Sequence, residues 1–125
     1  MTAHEHNLAN RIKDYHNIVG CLLFPPVNAD SKALSTIYTT SHLFFLGDLN
    51  FRLSLPPSHP LFPLIGHQDF SDALQSETTR QELKEYDQLL VERRKRTVFV
   101  GLREGDFWKF KCSYKYLLGE VDKYR

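Results

Sequence analysis

Cysteine is scarce in this chain: Cys21 and Cys112 are the only two among 125 residues. Two thiols supply neither a disulfide framework nor a four-thiolate zinc site, so a reducing compartment with both thiols buried is expected. Long apolar runs are missing too, and nothing approaches the roughly 20 residues that a membrane-spanning helix needs. The first twenty residues carry His4, Glu5, His6, Arg11, Lys13 and Asp14 with no apolar centre behind a basic start, so no secretory signal is expected. Neither sign of charge prevails, since 16 Lys+Arg face 15 Asp+Glu for a net charge of +1. That balance argues against a strongly basic nucleic-acid binder and against an acidic tail protein. Internal repeats and low-complexity tracts are absent from the sequence as well.

What is present suits one modest globular unit, with 42% hydrophobic and 13% aromatic residues. Leu8, Ile12, Tyr15, Ile18 or Val19, and Leu22 recur at steps of three and four, which predicts an amphipathic helix from about residue 5 to 23. Arg11, Lys13, Asp14 and Asn17 fall on its wet side, and Pro25-Pro26 end it. Residues 25–41 read as a surface loop with a short helix around Asp30 to Thr36. His42-Leu43-Phe44-Phe45-Leu46 reads as a buried strand stopped by Gly47-Asp48. Four prolines (Pro56, Pro57, Pro60, Pro63) stiffen a loop over residues 54–67, and Gln68 to Gln75 suits a short helix.

A longer helix is predicted over Thr79 to Arg94, with Thr79 and Glu82 as a capping box and Leu83, Tyr86 or Asp87, Leu89 and Leu90 in its core stripe. Thr97 to Val100 and Phe107 to Lys111 read as strands on either side of the turn Arg103 to Asp106. The order of elements places the chain in the mixed α/β (α+β) class. Trp108, with Phe107 and Phe110, reads as core, and Arg93-Arg94-Lys95-Arg96 reads as the solvated end of a helix. Six histidines show no metal-ligand spacing.

The candidate site is Gly47-Asp48-Leu49-Asn50-Phe51-Arg52. Period-two alternation would put Asp48, Asn50 and Arg52 on one face as a proton acceptor, an amide donor and a bidentate cation. Such a set suits attack of water on a phosphate ester. The same residues also fit a plain strand-end turn in which Asp48 and Asn50 satisfy nearby amides.

Gly47-Asp48-Leu49-Asn50-Phe51-Arg52-Leu53 resembles the GDLN-aromatic-R-aliphatic signature of the inositol polyphosphate 5-phosphatases, in the endonuclease/exonuclease/phosphatase superfamily. Other segments resemble that family in the same order. Asn10-Arg11 to Ile18 is similar to the helix that follows its SHLAAH strand, and Tyr86-Asp87-Gln88-Leu89 to its DQL helix. Val98-Phe99-Val100-Gly101-Leu102-Arg103-Glu104-Gly105 resembles its F-x-G-aliphatic-x-E-G turn, and Phe110 to Tyr116 its F-x-PTYKY segment, with Cys112-Ser113 in place of Pro-Thr.

The resemblance implies a partial four-layer α/β/β/α sandwich, with residues 1–125 as one internal part of a catalytic domain. It implies Mg²⁺-dependent removal of the 5-phosphate from a phosphoinositide headgroup or a soluble inositol polyphosphate. Asp48 would activate water, Asn50 would stabilise the five-coordinate phosphorus, and Arg52 would contact substrate or buttress the loop. Tyr114 and Lys115 would hold the neighbouring phosphate. The family's magnesium-binding glutamate has no counterpart in this chain, nor has its terminal SDH motif, so little activity is expected of the chain alone. A non-catalytic phosphoinositide- or protein-binding remnant is the alternative. A nuclease relative is disfavoured by the charge balance and by the Tyr114-Lys115 pair. A cytoplasmic location with peripheral contact at the cytosolic face of membranes is expected, without nucleic acid and without a transmembrane segment.

Overall fold

The computed structural model describes residues 1–26, 34–113, 115–121 and 123. The chain divides into two units, Met1–Phe51 and Arg52–Arg125. In the first, a single helical turn (Glu5–Asn7) runs into α1 (Leu8–Cys21), close to the predicted span. The Leu22 backbone turns extended after its N–H bonds to the Ile18 carbonyl, and the helix stops there, ahead of Pro25. β1 (Leu23–Phe24) then pairs antiparallel with β2 (Ser35–Thr36), with Leu23 opposite Thr36 and Phe24 opposite Ser35. The helix predicted around Asp30 to Thr36 falls partly outside the described residues; of its remainder, Ser35 and Thr36 are strand.

Arg11 departs from the amphipathic reading of α1, whose Lys13 and Asn17 are exposed as expected. Placed on the wet side by periodicity, it is 0% exposed. Its Nη1 donates to the carbonyls of Thr2 at 3.2 Å and His4 at 2.5 Å, and its Nη2 to that of Glu5 at 3.0 Å. The guanidinium also lies over the Phe51 ring, 5.6 Å from its centroid. One turn along, the Asp14 carboxylate accepts from the Thr2 hydroxyl at 2.6 Å and from the Thr2 N–H at 2.7 Å. These two bonds, the hydroxyl's first, hold the Asp14 carboxyl below the ordinary carboxylate range. Burial of Arg11 therefore follows from the carbonyls of Thr2, His4 and Glu5, which give its guanidinium acceptors in place of water. Among the described residues of this unit the buried apolar side chains are Tyr15 and Ile37, and the Tyr15 and Tyr38 hydroxyls are hydrogen-bonded.

Residues 42–46 form no strand. Leu43 and Phe45 are half-buried, while Phe44 and Leu46 are each 83% exposed. The alternation is that of a strand, but apolar side chains do not supply the hydrogen-bonded neighbour that a strand requires.

In the second unit the proline-rich loop buries Leu55 and contains one helical turn, Phe62–Leu64. α2 spans Gln68–Ala73. The long helix predicted over 79–94 is two helices, α3 (Glu77–Leu83) and α4 (Gln88–Arg94), parted by the turn Lys84–Tyr86. The cap of α3 is Ser76, whose hydroxyl accepts from Thr79 N–H at 3.4 Å, in place of the Thr79/Glu82 box. Asp87 breaks the run because its backbone is extended, and its carboxylate accepts from Leu90 N–H at 2.9 Å to start α4.

The two strands predicted after α4 are also absent. Thr97 to Val100 is a tight turn with Arg96 at φ 62° and Phe99 at φ 51°, although Val98 and Phe99 are buried as core. Glu92 holds that turn, accepting from Thr97 Oγ1 at 2.7 Å and Lys95 Nζ at 2.7 Å. Burial alone would raise the Glu92 carboxyl, but these bonds outweigh it and hold it below its ordinary range. Phe107–Lys109 is a single helical turn, and Phe110 is 70% exposed, so it does not join the core. The thiols depart from expectation as well, Cys21 being exposed and Cys112 half-buried. No described helix is long and apolar enough to cross a membrane.

Arg11→Met should destabilise the chain by about 3 kcal/mol, because the three hydrogen bonds from the buried guanidinium are lost. Lys13→Met, at an exposed position of the same helix, should cost less than about 0.5 kcal/mol. The urea midpoints of the two variants check the contrast.

Candidate functional site

The loop Gly47–Phe51 is shaped by two left-handed positions. Gly47 sits at φ 135° and Asn50 at φ 58°, a conformation that asparagine tolerates better than most residues. An extended backbone is what period-two alternation assumes, so the single-face argument does not hold for Asp48 and Asn50. They come together differently. The exposed Asp48 carboxylate bends back and accepts from the Asn50 N–H at 3.0 Å. This is the local turn that the bland reading of the segment described.

The start of the chain clasps the same loop. The Met1 ammonium donates to the Asp48 carbonyl at 3.2 Å, and the Asn50 side-chain amide donates to the Met1 carbonyl at 2.9 Å. Arg11, over the Phe51 ring, holds residues 2–5 at the other end of that clasp. Asp48 borders a hollow of about 570 Å³ whose other walls are mostly apolar, including Ile18, Phe24 and Phe45, and Asn50 does not line it.

The remaining candidates belong to the second unit. The Arg52 N–H donates to Gln88 Oε1 at 3.1 Å, and the Gln88 N–H returns a bond to the Arg52 carbonyl at 3.0 Å. Ser54 N–H likewise bonds to the Tyr86 carbonyl at 3.0 Å, and Leu53 pairs with Asp87. Asp87 is half-buried, and desolvation raises its carboxyl above the ordinary range despite the bonds from Leu90 and Leu89. Lys115 is exposed and borders a hollow of about 400 Å³ with His67, Phe70 and Cys112. Tyr114 lies outside the described residues.

Among the described residues no three His, Cys, Asp or Glu side chains come together as a metal-holding cluster. Sequence reasoning also missed the support of the loop, Met1 and Arg11. Nothing in the local pattern distinguishes Arg11 from Lys13.

The family model for endonuclease/exonuclease/phosphatase family 2 matches residues 1–125, the whole chain. The chain belongs to that family. Among its curated relatives is the mouse type II inositol 1,4,5-trisphosphate 5-phosphatase, 30% identical over 122 residues that cover 98% of this chain and 11% of that protein. The phosphatidylinositol 3,4,5-trisphosphate 5-phosphatase 1 of Xenopus laevis is 30% identical over 129 residues, covering 99% of this chain and 11% of that protein. Human phosphatidylinositol polyphosphate 5-phosphatase type IV is 31% identical over 127 residues, covering 95% and 18%. This endonuclease/exonuclease/phosphatase chain thus spans between about a tenth and a fifth of the length of these relatives.

Two outcomes test the loop and its surroundings. Asn50→Ala should be less stable than Asn50→Gly by about 1 kcal/mol, since both lose the amide but only alanine is strained at positive φ; urea midpoints read the difference. Asp87→Asn keeps a helix cap while removing a half-buried charge. A raised carboxyl favours the fold below the ordinary aspartate range and loses that advantage as pH rises through its folded value. Wild type should therefore fall behind Asp87→Asn at about pH 8 and match it at about pH 3, as denaturation at each pH would show.

Proposed function

We propose that this chain forms an internal part of an inositol polyphosphate 5-phosphatase catalytic domain and contributes its water-activating loop. The observation that carries this reading is the family match across the chain, with Gly47 to Leu53 reading as the 5-phosphatase signature. In that domain its segments would belong to a four-layer α/β/β/α sandwich. The substrate would be a phosphoinositide headgroup or a soluble inositol polyphosphate, reached at the cytosolic face of membranes or in the cytoplasm.

The exposed Asp48 carboxylate orients a water and takes its proton as the oxygen attacks phosphorus. The bond between phosphorus and the ring oxygen breaks, that oxygen takes a proton from solvent while Asp48 gives its own back to solvent, and inorganic phosphate and a free inositol hydroxyl are left. Asn50 exchanges its bond to the Met1 carbonyl for one to the developing oxyanion. That exchange costs only about 1 kcal/mol, the net value of a neutral hydrogen bond. Arg52 supplies a forked contact to phosphate oxygens, and Tyr114 and Lys115 hold the neighbouring phosphate as donor and point charge. Magnesium is the ion proposed for the complete domain, and no step is assigned to it through residues of this chain.

A second reading is favoured by one observation: the Asp48 carboxylate and the Asn50 side-chain amide are both engaged in bonds within the first unit. In that reading the chain is a non-catalytic remnant that binds phosphoinositide or protein without turnover.

A chimera separates the two. The matched segment of the mouse type II enzyme is replaced by residues 1–125, and phosphate release from inositol trisphosphate is followed. Release that falls at least about 100-fold on Asp48→Ala supports the hydrolase reading. Binding without release supports the remnant. The chain alone should release no phosphate above background in either case.

A further inference from the structure

In the second unit, α4 and the turn that follows it enclose a hollow of about 410 Å³. Its apolar walls are Leu90 on α4 and Phe99, Val100 and Leu102 in the turn. Phe99 is buried, whereas Val100 leaves 39% of its surface in water. Arg93 ties the two walls together. Its Nη2 donates to the Leu102 carbonyl at 2.6 Å and its Nη1 to the Glu104 carboxylate at 2.7 Å. The hollow thus has a bonded frame before any ligand arrives.

Arg93, Arg94 and Arg96 also line it. Glu104 matches the charge of Arg93, and Glu85 that of Arg94, accepting from both of its Nη atoms. Arg96 is left over. Among the described residues it enters no ion pair and no side-chain hydrogen bond. Its backbone sits at φ 62°, a left-handed position that strains an arginine and suits a glycine. Nearby in sequence, the Leu102 N–H closes a turn on the Phe99 carbonyl at 3.2 Å, with Gly101 at φ 80°. That closure leaves the N–H groups of Val100 and Gly101 without acceptors among the described residues. Gly101 lines the hollow with backbone alone. Successive main-chain N–H groups and one unmatched cation suit a single anion.

We infer that this hollow captures the C-terminal residue of a partner polypeptide that ends in a bulky apolar side chain. The side chain fills the space between Leu90, Val100 and Leu102, and the α-carboxylate meets Arg96 and the amides of the turn. The charge count selects one carboxylate, because one guanidinium is in surplus. The volume, near the lower end of ordinary ligand sites, suits one residue with its main chain. An α-carboxylate and its side chain leave the same carbon, so a single chain end meets both demands. The site shares no residue with the proposed hydrolase and stands without that reading.

Fluorescence anisotropy of end-labelled peptides tests the capture. The full chain is titrated into the hexapeptide Gly-Ser-Gly-Ser-Gly-Leu, labelled at its N-terminus, and into the same peptide ending in Phe. Saturable binding of at least one is expected, weakened about tenfold or more when its C-terminus is amidated, and about tenfold by Arg96→Gln. Arg103→Gln, at an exposed position that does not line the hollow, should leave the midpoint within about twofold. Arg96→Gly separates capture from folding: it should lose the peptide while raising the urea midpoint, since glycine relieves the left-handed strain. Phosphatidylserine vesicles form the competing arm, and no displacement of the bound peptide by them is expected. Failure of both peptides to saturate, equal affinity for the amidated form, or binding retained in Arg96→Gln or Arg96→Gly overturns the proposal. Displacement by the vesicles overturns it too, assigning this face to an anionic lipid surface in place of a chain end.

Discussion

A fully buried guanidinium organises the first unit. Arg11 gives its hydrogen bonds to backbone carbonyls of Thr2, His4 and Glu5, and its charged face to the Phe51 ring. A buried cation is tolerable only when its donors are matched and its charge is spread over polar or aromatic partners. Here the partners are the two stretches that must meet if the Gly47–Phe51 loop is to keep its form. Asp14 reinforces one of them through Thr2, and Met1 completes the link to Asp48 and Asn50. The position of the candidate acid and amide is therefore a tertiary property carried by the helix and the chain start.

The second unit is organised by arginine–carbonyl and carboxylate contacts of the same kind, on a different scale. Arg80 gathers the end of α2 and the Trp108 turn, Asp87 starts α4, and Glu92 closes the turn that buries Val98 and Phe99. The basic run at the end of α4 is less of an electrostatic feature than its composition suggests. Arg93, Arg94 and Lys95 are each matched to a glutamate, which agrees with the solvated helix end read from the sequence.

Legibility followed the range of the interactions. α1 could be read because its apolar residues repeat at helical spacing, and the helical content of 77–94 because leucines do the same. The break between α3 and α4 could not, since it depends on Asp87 meeting Leu53 from a distant part of the chain. Strands at 42–46, 97–100 and 107–111 were misjudged for a related reason: apolar and β-branched composition marks burial, but a ladder needs a partner. Val98 is fully buried there without belonging to any strand. The loop at Asp48 was found through its motif, and its geometry came from positive φ at Asn50, which alternation cannot anticipate. Family membership was visible in the ordered segments and agrees with the match across the chain.

The run from His42 to Leu46 has one more consequence. It keeps the inside–outside rhythm of a sheet member, and its outward Phe44 and Leu46 stay in water. Such a ribbon is a ready template on which a second copy can add edge to edge. Raising the protein concentration would then drive precipitation under conditions where each molecule is still folded.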